Sequence, residues 1–316
     1  MPGNLRTAMP LLVGLPLLPA LAVQAACGTS NLDPIEAPPL ADAGHGNTVQ
    51  DAGAKSAPDA DAATVPCKRG IAMNDGPSAA LAPAASGPGV AWWYNWGAQS
   101  PGGDPRIEYV PMLWGGGSLA QTIPAAARYL LGYNEPNFNS QANLTVAQAA
   151  ADWPAVESHA GTRPIVSPAV NYCGSATDTS RCTDPAIVDP YTYLKDFFAA
   201  CSGCRVDYVA VHAYFCDLPS LQAYIEGNTQ TGGTMQGFLQ FGKPIWVTEL
   251  ACDASHSVAD QKAFMQAAIP YLEGNPDVFR YAWFNAKPIP NAMLTNADGS
   301  LDDLGTTYVG LSAGCR

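Results

Sequence analysis

Two glutamates close apolar runs in which an acid has no ordinary use: Glu135 in YLLGYNEPN (129–137) and Glu249 in KPIWVTELA (243–251). Asn, Pro and a solvated Glu are ordinary turn residues, so one such acid needs no special account. A chance ion-pair partner would also serve for one. Two are harder to dismiss, because an unpaired carboxylate is costly to bury at the end of an apolar strand. A pair of carboxylates suits glycosidic cleavage: one protonates the departing oxygen and the other stabilises, or bonds to, the oxocarbenium-like carbon. Aromatic faces pack against the C–H faces of sugar rings, and aromatic residues close several further runs as candidate sugar contacts: Trp96, with Asn95 beside it as a further candidate contact, Trp114, Tyr214, Phe215 and Trp283. Trp92 and Trp246 stand inside their runs and read equally well as core. His212 and Tyr214 are two apart, so strand alternation puts them on one side, where a phenol can hold a carboxylate and a neutral imidazole can orient sugar hydroxyls.

Positioning such residues requires a scaffold of repeated strands. Eight short runs recur, at 69–74, 89–96, 108–115, 129–136, 163–170, 206–215, 243–251 and 280–286. They do not alternate in hydrophobicity, which suits strands of a parallel sheet buried on both faces. Helical patterns fall between several of them, at 144–159 with Thr145 as cap, 189–201, and 257–275. Strand–helix alternation reaching eight strands in about 250 residues predicts a (β/α)8 barrel, with the site at the C-terminal strand ends. The early units are short, so brief or irregular helices are expected there. An open doubly wound sheet is the competitor, weakened because no Gly-rich phosphate loop follows any strand.

The chain of 316 residues carries a net charge of −12 and no basic block, which argues against nucleic-acid binding. His45, His159, His212 and His256 are scattered without metal-binding spacing, and neither a serine elbow nor a P-loop lysine is present. No metal or organic cofactor is expected. Residues 1–26 read as a bacterial-type export signal, with Arg6 before the apolar stretch 9–23. That stretch is short and broken by proline for a membrane span. Cleavage after Ala25 and lipidation on Cys27 are both open, and such a lipid would be the route to membrane attachment. Residues 27–66, rich in Ala, Asp, Pro and Gly, read as a disordered linker. The remainder, 67–316, is expected to be one catalytic domain, secreted or anchored at the outer cell surface, and monomeric.

Nine cysteines leave eight once Cys27 is cleaved or capped, and export favours disulfides. Cys216 and Cys252 follow the sixth and seventh strands, so both lie on one rim and should pair. Cys67 precedes the first strand and Cys315 follows the last helix, so those should meet at the opposite end. Cys173–Cys182 with Cys201–Cys204 is the local pairing, with Cys182–Cys201 also feasible. CSGC (201–204) as a redox or metal pair lacks the second pair that structural zinc usually needs.

NEP at the fourth strand end and TEL at the seventh resemble clan A glycoside hydrolases. Together GYNEPN, SPAV, DYVAVHAY, KPIWVTELA and AWFN resemble glycoside hydrolase family 128, which includes the alkali-sensitive-linkage-like fungal wall proteins, over roughly residues 67–315. The resemblance implies a retaining β-1,3-glucanase, endo-acting by expectation, with Glu135 as general acid/base and Glu249 as nucleophile. Asn134 would contact the sugar 2-hydroxyl. The substrate would be a β-1,3-glucan polysaccharide or oligosaccharide. A non-catalytic β-glucan-binding lectin on the same barrel, and a clan A hydrolase of another β-glycan, are the alternatives.

Overall fold

The computed structural model describes residues 67–83, 89–227 and 237–313. The export signal, the linker, Cys27 and Cys315 lie outside the described residues. Eight strands follow in chain order: β1 (Arg69–Ala72), β2 (Trp92–Tyr94), β3 (Glu108–Tyr109), β4 (Leu130–Leu131), β5 (Ile165–Val166), β6 (Val209–Ala213), β7 (Ile245–Leu250) and β8 (Val278–Phe284). Each overlaps one of the eight runs picked out in the sequence. The hydrogen-bonded order is β3-β2-β1-β8-β7-β6, with β4 beside β5, all parallel. Isolated parallel bridges join the two sheets, Met112 to Leu131 on one side and Val166 to Tyr208 and Val170 to Val211 on the other. The ring of parallel neighbours is thereby complete, as a (β/α)8 barrel requires.

Helices follow the last five strands: α1 (Val146–Ala160), α2 (Pro190–Ala200), α3 (Leu218–Glu226), α4 (Val258–Gly274) and α5 (Asp303–Gly310). Among the described residues no α-helix follows β1, β2 or β3, in line with their short units. Thr145 and Gln148 form a capping box on α1, which buries Ala149, Trp153, Val156 and Ala160 at helical spacing. Asp189 caps α2, and Ser257 with Asp260 boxes the start of α4. Leu218–Glu226 was not evident as a helix in the sequence; Asp217 caps it and Pro219 occupies its first turn.

The N-terminal end of the barrel is tied by cations. Lys68 Nζ donates to the carbonyls of Leu272, Glu273 and Asn275 at the end of α4. Arg69, fully buried, donates to the carbonyls of Tyr308, Leu311 and Ser312 at the end of α5. Arg280 stands within the rings of Trp92, Tyr129, Trp246 and Phe279, its guanidinium 4.7–5.7 Å from their centroids, and donates to Glu108 at 2.8 Å. Trp92 and Trp246 are therefore core residues.

Candidate active site

Glu135 stands beyond β4, where pairing persists through Asn134 N–H to the Trp114 carbonyl (2.9 Å) and Glu135 N–H to the Ala169 carbonyl (2.8 Å). Gly132 permits this approach: a Cβ there would meet the Val166 carbonyl oxygen at 2.8 Å. Glu249 lies within β7 at a β-bulge. Val211 pairs with Val247, but His212 pairs with Glu249, so Thr248 is an extra residue in β7. Trp96 (φ +61°) and Glu135 (φ +40°) adopt left-handed backbone conformations unusual for such side chains. Each costs on the order of 1–3 kcal/mol, and such residues cluster at functional sites.

These placements bring the two acids together around His212. One carboxylate oxygen of each glutamate and one nitrogen of His212 all lie within 4.8 Å of one another. His212 Nδ1 is 2.9 Å from Glu135 Oε1 and 3.1 Å from Glu249 Oε2. Glu249 further accepts Trp96 Nε1–H at 2.7 Å, the Tyr94 hydroxyl at 3.3 Å, and the Tyr214 hydroxyl. Glu135 has no side-chain partner but His212 among the described residues, leaving its second oxygen available to the cleft. Glu249 thus accepts from three donors and stands beside His212, whereas Glu135 is held by His212 alone among the described residues.

Electrostatics follow from this packing. Burial pushes the Glu249 carboxyl above the usual range; His212 opposes this and Glu135 adds to it. Burial pushes the His212 imidazole down, but Glu249 and Glu135 outweigh it and the net displacement is upward. Burial, then the charges of Glu249 and Glu135, hold the Tyr214 phenol well above its ordinary value, so it remains a donor. His212 Nε2 is buried with no hydrogen-bond partner among the described residues. A second ring proton there would be an orphan donor, costing about 1–3 kcal/mol. That cost works against the upward displacement that the two carboxylates produce.

The two glutamates open on a cleft of about 770 Å³, lined also by Trp96, Trp114, Asn134, Gln141, Tyr214 and Phe284. Asn134 is buried, donates to Gln141 Oε1 at 3.3 Å, and has an unpartnered Oδ1. Other expected residues lie elsewhere. Trp283 is wholly buried, its Nε1–H donating to the Ala292 carbonyl at 2.8 Å; Phe284 takes the cleft position instead. Phe215 packs on Tyr224, ring centroids 4.9 Å apart. Asn95 Oδ1 accepts the Tyr109 hydroxyl at 2.7 Å and the Gly97 N–H at 3.1 Å, closing its own loop. His212 lies fully buried between the carboxylates, so it contacts the acids where a sugar hydroxyl was expected. Tyr94 was missed, although its spacing of two from Trp96 was a usable signal.

The acid–imidazole trio is also the one group of His, Cys, Asp and Glu side chains close enough to hold a cation among the described residues. A cation there would have to displace the Nδ1–H that His212 gives to Glu135 beside Glu249. Disulfides join Cys173–Cys182, Cys201–Cys204 and Cys216–Cys252, the last binding the β6 and β7 rims beside the site. Cys67 is also disulfide-bonded; its expected partner, Cys315, lies outside the described residues. No helix among the described residues is long and apolar enough to cross a membrane.

Comparison with known proteins is consistent with this geometry. The glycosyl hydrolase catalytic core family matches residues 70–308. Alkali-sensitive linkage protein 1 of Schizosaccharomyces pombe is 30% identical over 255 residues, which cover 77% of this chain and 44% of that protein. The crystal structure of a family 128, subgroup II endo-β-1,3-glucanase from Sorangium cellulosum is 41% identical, with TM-score 0.61 and coverage of 77% of this chain and 98% of that one. A subgroup I endo-β-1,3-glucanase mutant from Amycolatopsis mediterranei, bound to laminarihexaose, is 26% identical, with TM-score 0.58 and coverage of 78% and 99%. On the family match and the likeness to the Sorangium structure, the chain belongs to the glycosyl hydrolase catalytic core family and, within it, to glycoside hydrolase family 128.

Proposed function

We propose that this protein is a retaining endo-β-1,3-glucanase acting on laminarin-type glucans. The observation that carries the reading is the Glu135–Glu249 pair. Its facing oxygens lie within 4.8 Å, close to the ~5–5.5 Å of retaining enzymes and too close for the ~6.5–9.5 Å that admits water between inverting carboxylates. The printed activity of the family 128 neighbours supplies the substrate class.

The asymmetric surroundings support a division of roles. Glu249, fixed by three hydrogen-bond donors and His212, which favour its ionised form, attacks the anomeric carbon. Glu135 gives its proton to the glycosidic oxygen as that C–O bond breaks. The product is a glycosyl ester on Glu249 and a free alcohol. Having given its proton to the leaving oxygen, Glu135 stands as a carboxylate able to act as a base. Glu135 then takes a proton from water as the water oxygen attacks the same carbon, releasing Glu249 and restoring both groups. Asn134, whose Oδ1 has no hydrogen-bond partner among the described residues, takes the 2-hydroxyl in this reading. Trp96, Trp114, Tyr214 and Phe284 supply the apolar walls.

Export and an N-terminal linker belong to the same proposal. The seven described cysteines are all disulfide-bonded, which suits an oxidising compartment. The apolar stretch at 9–23 and the Ala/Asp/Pro/Gly-rich residues 27–66 support a signal, then a spacer, before a catalytic domain at 67–316. Secretion or lipid anchoring through Cys27, and a monomeric state, complete the reading.

Reducing-sugar release from laminarin tests it. The unaltered protein should release sugar, whereas Glu249→Ala should lose several orders of magnitude in turnover and still bind the glucan. Glucan binding by the unaltered protein without any release would instead establish a lectin.

A further inference from the structure

The loops after β4 and β5 are zipped into a rigid arm that begins one residue after Glu135. Phe138 forms an antiparallel bridge with Cys182. Asn139 N–H donates to the Arg181 carbonyl and Thr183 N–H to the Asn137 carbonyl, both at 2.9 Å. The Thr183 hydroxyl donates to the Pro136 carbonyl at 2.9 Å, and Cys182 is bonded to Cys173. Phe138, Cys173, Cys182 and Val188 form an apolar cluster of their own, apart from the barrel core.

This arm presents a cation to the cleft. Arg181 is exposed and its guanidinium lies 5.7 Å from the Phe138 ring centroid; both residues line the catalytic cleft. The guanidinium forms no hydrogen bond or ion pair with protein among the described residues, so its N–H donors are unspent. Stacking on Phe138 limits its freedom, which lowers the entropic cost of each bond it makes to a ligand.

Chemistry gives the direction of the chain in the cleft. Glu135 must reach the departing oxygen, and Glu249 the carbon that keeps its sugar. The departing segment therefore lies on the Glu135 side, along the arm that continues from it. We propose that Arg181, positioned by Phe138, is a leaving-group-side binding residue that donates hydrogen bonds to hydroxyls of a β-linked glucosyl unit in the departing segment. The proposal rests on the glucanase reading and adds to it the site's polarity and a specificity residue.

The test compares two substrates. In laminarihexaose the departing group is a sugar; in 4-nitrophenyl β-laminaribioside it is an aryl group with no sugar hydroxyls for Arg181 to bind. Arg181→Ala should lower kcat/KM on the hexaose about ten-fold, equivalent to ~1.4 kcal/mol, mainly through KM. It should leave the aryl substrate within about two-fold. Arg181→Lys should restore part of the loss, since one point charge replaces a planar fork. Phe138→Leu, which keeps the arm's apolar filling, should give a smaller loss of the same selectivity. Equal losses on both substrates, no loss on either, or a selective loss on the aryl substrate would each overturn the proposal. An unaltered protein that cleaves neither substrate would refute the glucanase reading itself, a result distinct from all of these.

Discussion

His212 and Glu249 face each other across the β6–β7 ladder because β7 carries one residue more than β6 at that point. In an unbroken register Thr248 would stand opposite His212, and Glu249 would be displaced by one residue. The same extra residue appears against β8, where Val247 pairs with Tyr281 but Leu250 pairs with Trp283. The bulge aims Glu249 at the imidazole, and the imidazole holds Glu135.

Acid-side activity should therefore depend on His212. Burial holds the Glu249 carboxyl above its ordinary range, with His212 opposing. The ionised form is the reactive one, so the acid limb of kcat/KM should lie above the ~4.3 of an ordinary glutamate. His212→Phe removes the opposing influence, raises the carboxyl's pKa further, and should move that limb to higher pH. The limb belongs to the coupled cluster as a whole. A pH profile of kcat/KM for both proteins checks the direction; a shift to lower pH would contradict the coupling.

The donors to Glu249 should separate by kinetic signature. Tyr214→Phe deletes a hydrogen bond to a carboxylate, worth about 1.5–3 kcal/mol, and should reduce kcat roughly 10- to 100-fold with little change in KM. Trp96→Phe removes the Nε1 donor and also alters a cleft wall, so KM should rise along with the fall in kcat. Steady-state kinetics on laminarin distinguish the two patterns.

Arg280 should be a stability residue without a direct part in catalysis. Its side chain is 2% exposed, and Nε and Nη1 have no hydrogen-bond partner among the described residues, only aromatic faces around them. Arg280→Ala breaks the Glu108 pair and empties the aromatic box, at a cost of roughly 3–5 kcal/mol. Chemical denaturation should show that loss, while Arg280→Met, which keeps much of the packing, should lose less.

Removing residues 1–66 should leave the melting temperature and the activity on soluble glucan unchanged if, as their composition suggests, residues 27–66 are a linker that adds no core. Cys67 should prove to be joined to Cys315 by non-reducing peptide mapping. Ser312 already lies against Arg69, two residues from Cys67. Closing so long a loop contributes about 5 kcal/mol in the chain-entropy model. Cys67 bonded to Cys27 instead would overturn this assignment.

Much of the site was legible because its residues close strands. The motifs around Glu135 and Glu249 announced themselves by an acid after an apolar run, and His212 and Tyr214 by their spacing. Which of Trp283 and Phe284 faces the cleft was not legible. The answer depends on the register of β8 against a bulged β7, and that extra residue leaves no mark in the local pattern. Phe215 and Asn95 were misplaced for a related reason: both sit just where a strand becomes a loop and alternation no longer sets direction. The arm of Phe138 and Arg181 was invisible because backbone hydrogen bonds join two loops 43 residues apart, and the second loop is closed by a Cys173–Cys182 bond that the sequence left open against another pairing.

The stereochemistry of cleavage tests the two-carboxylate assignment most directly. Proton NMR of laminarihexaose during the first minutes of hydrolysis, before mutarotation, reads the configuration of the newly formed reducing end. A displacement by Glu249 followed by a displacement by water predicts the β-anomer as first product. First appearance of the α-anomer would mean a single displacement by water and would contradict the assignment of Glu249 as nucleophile.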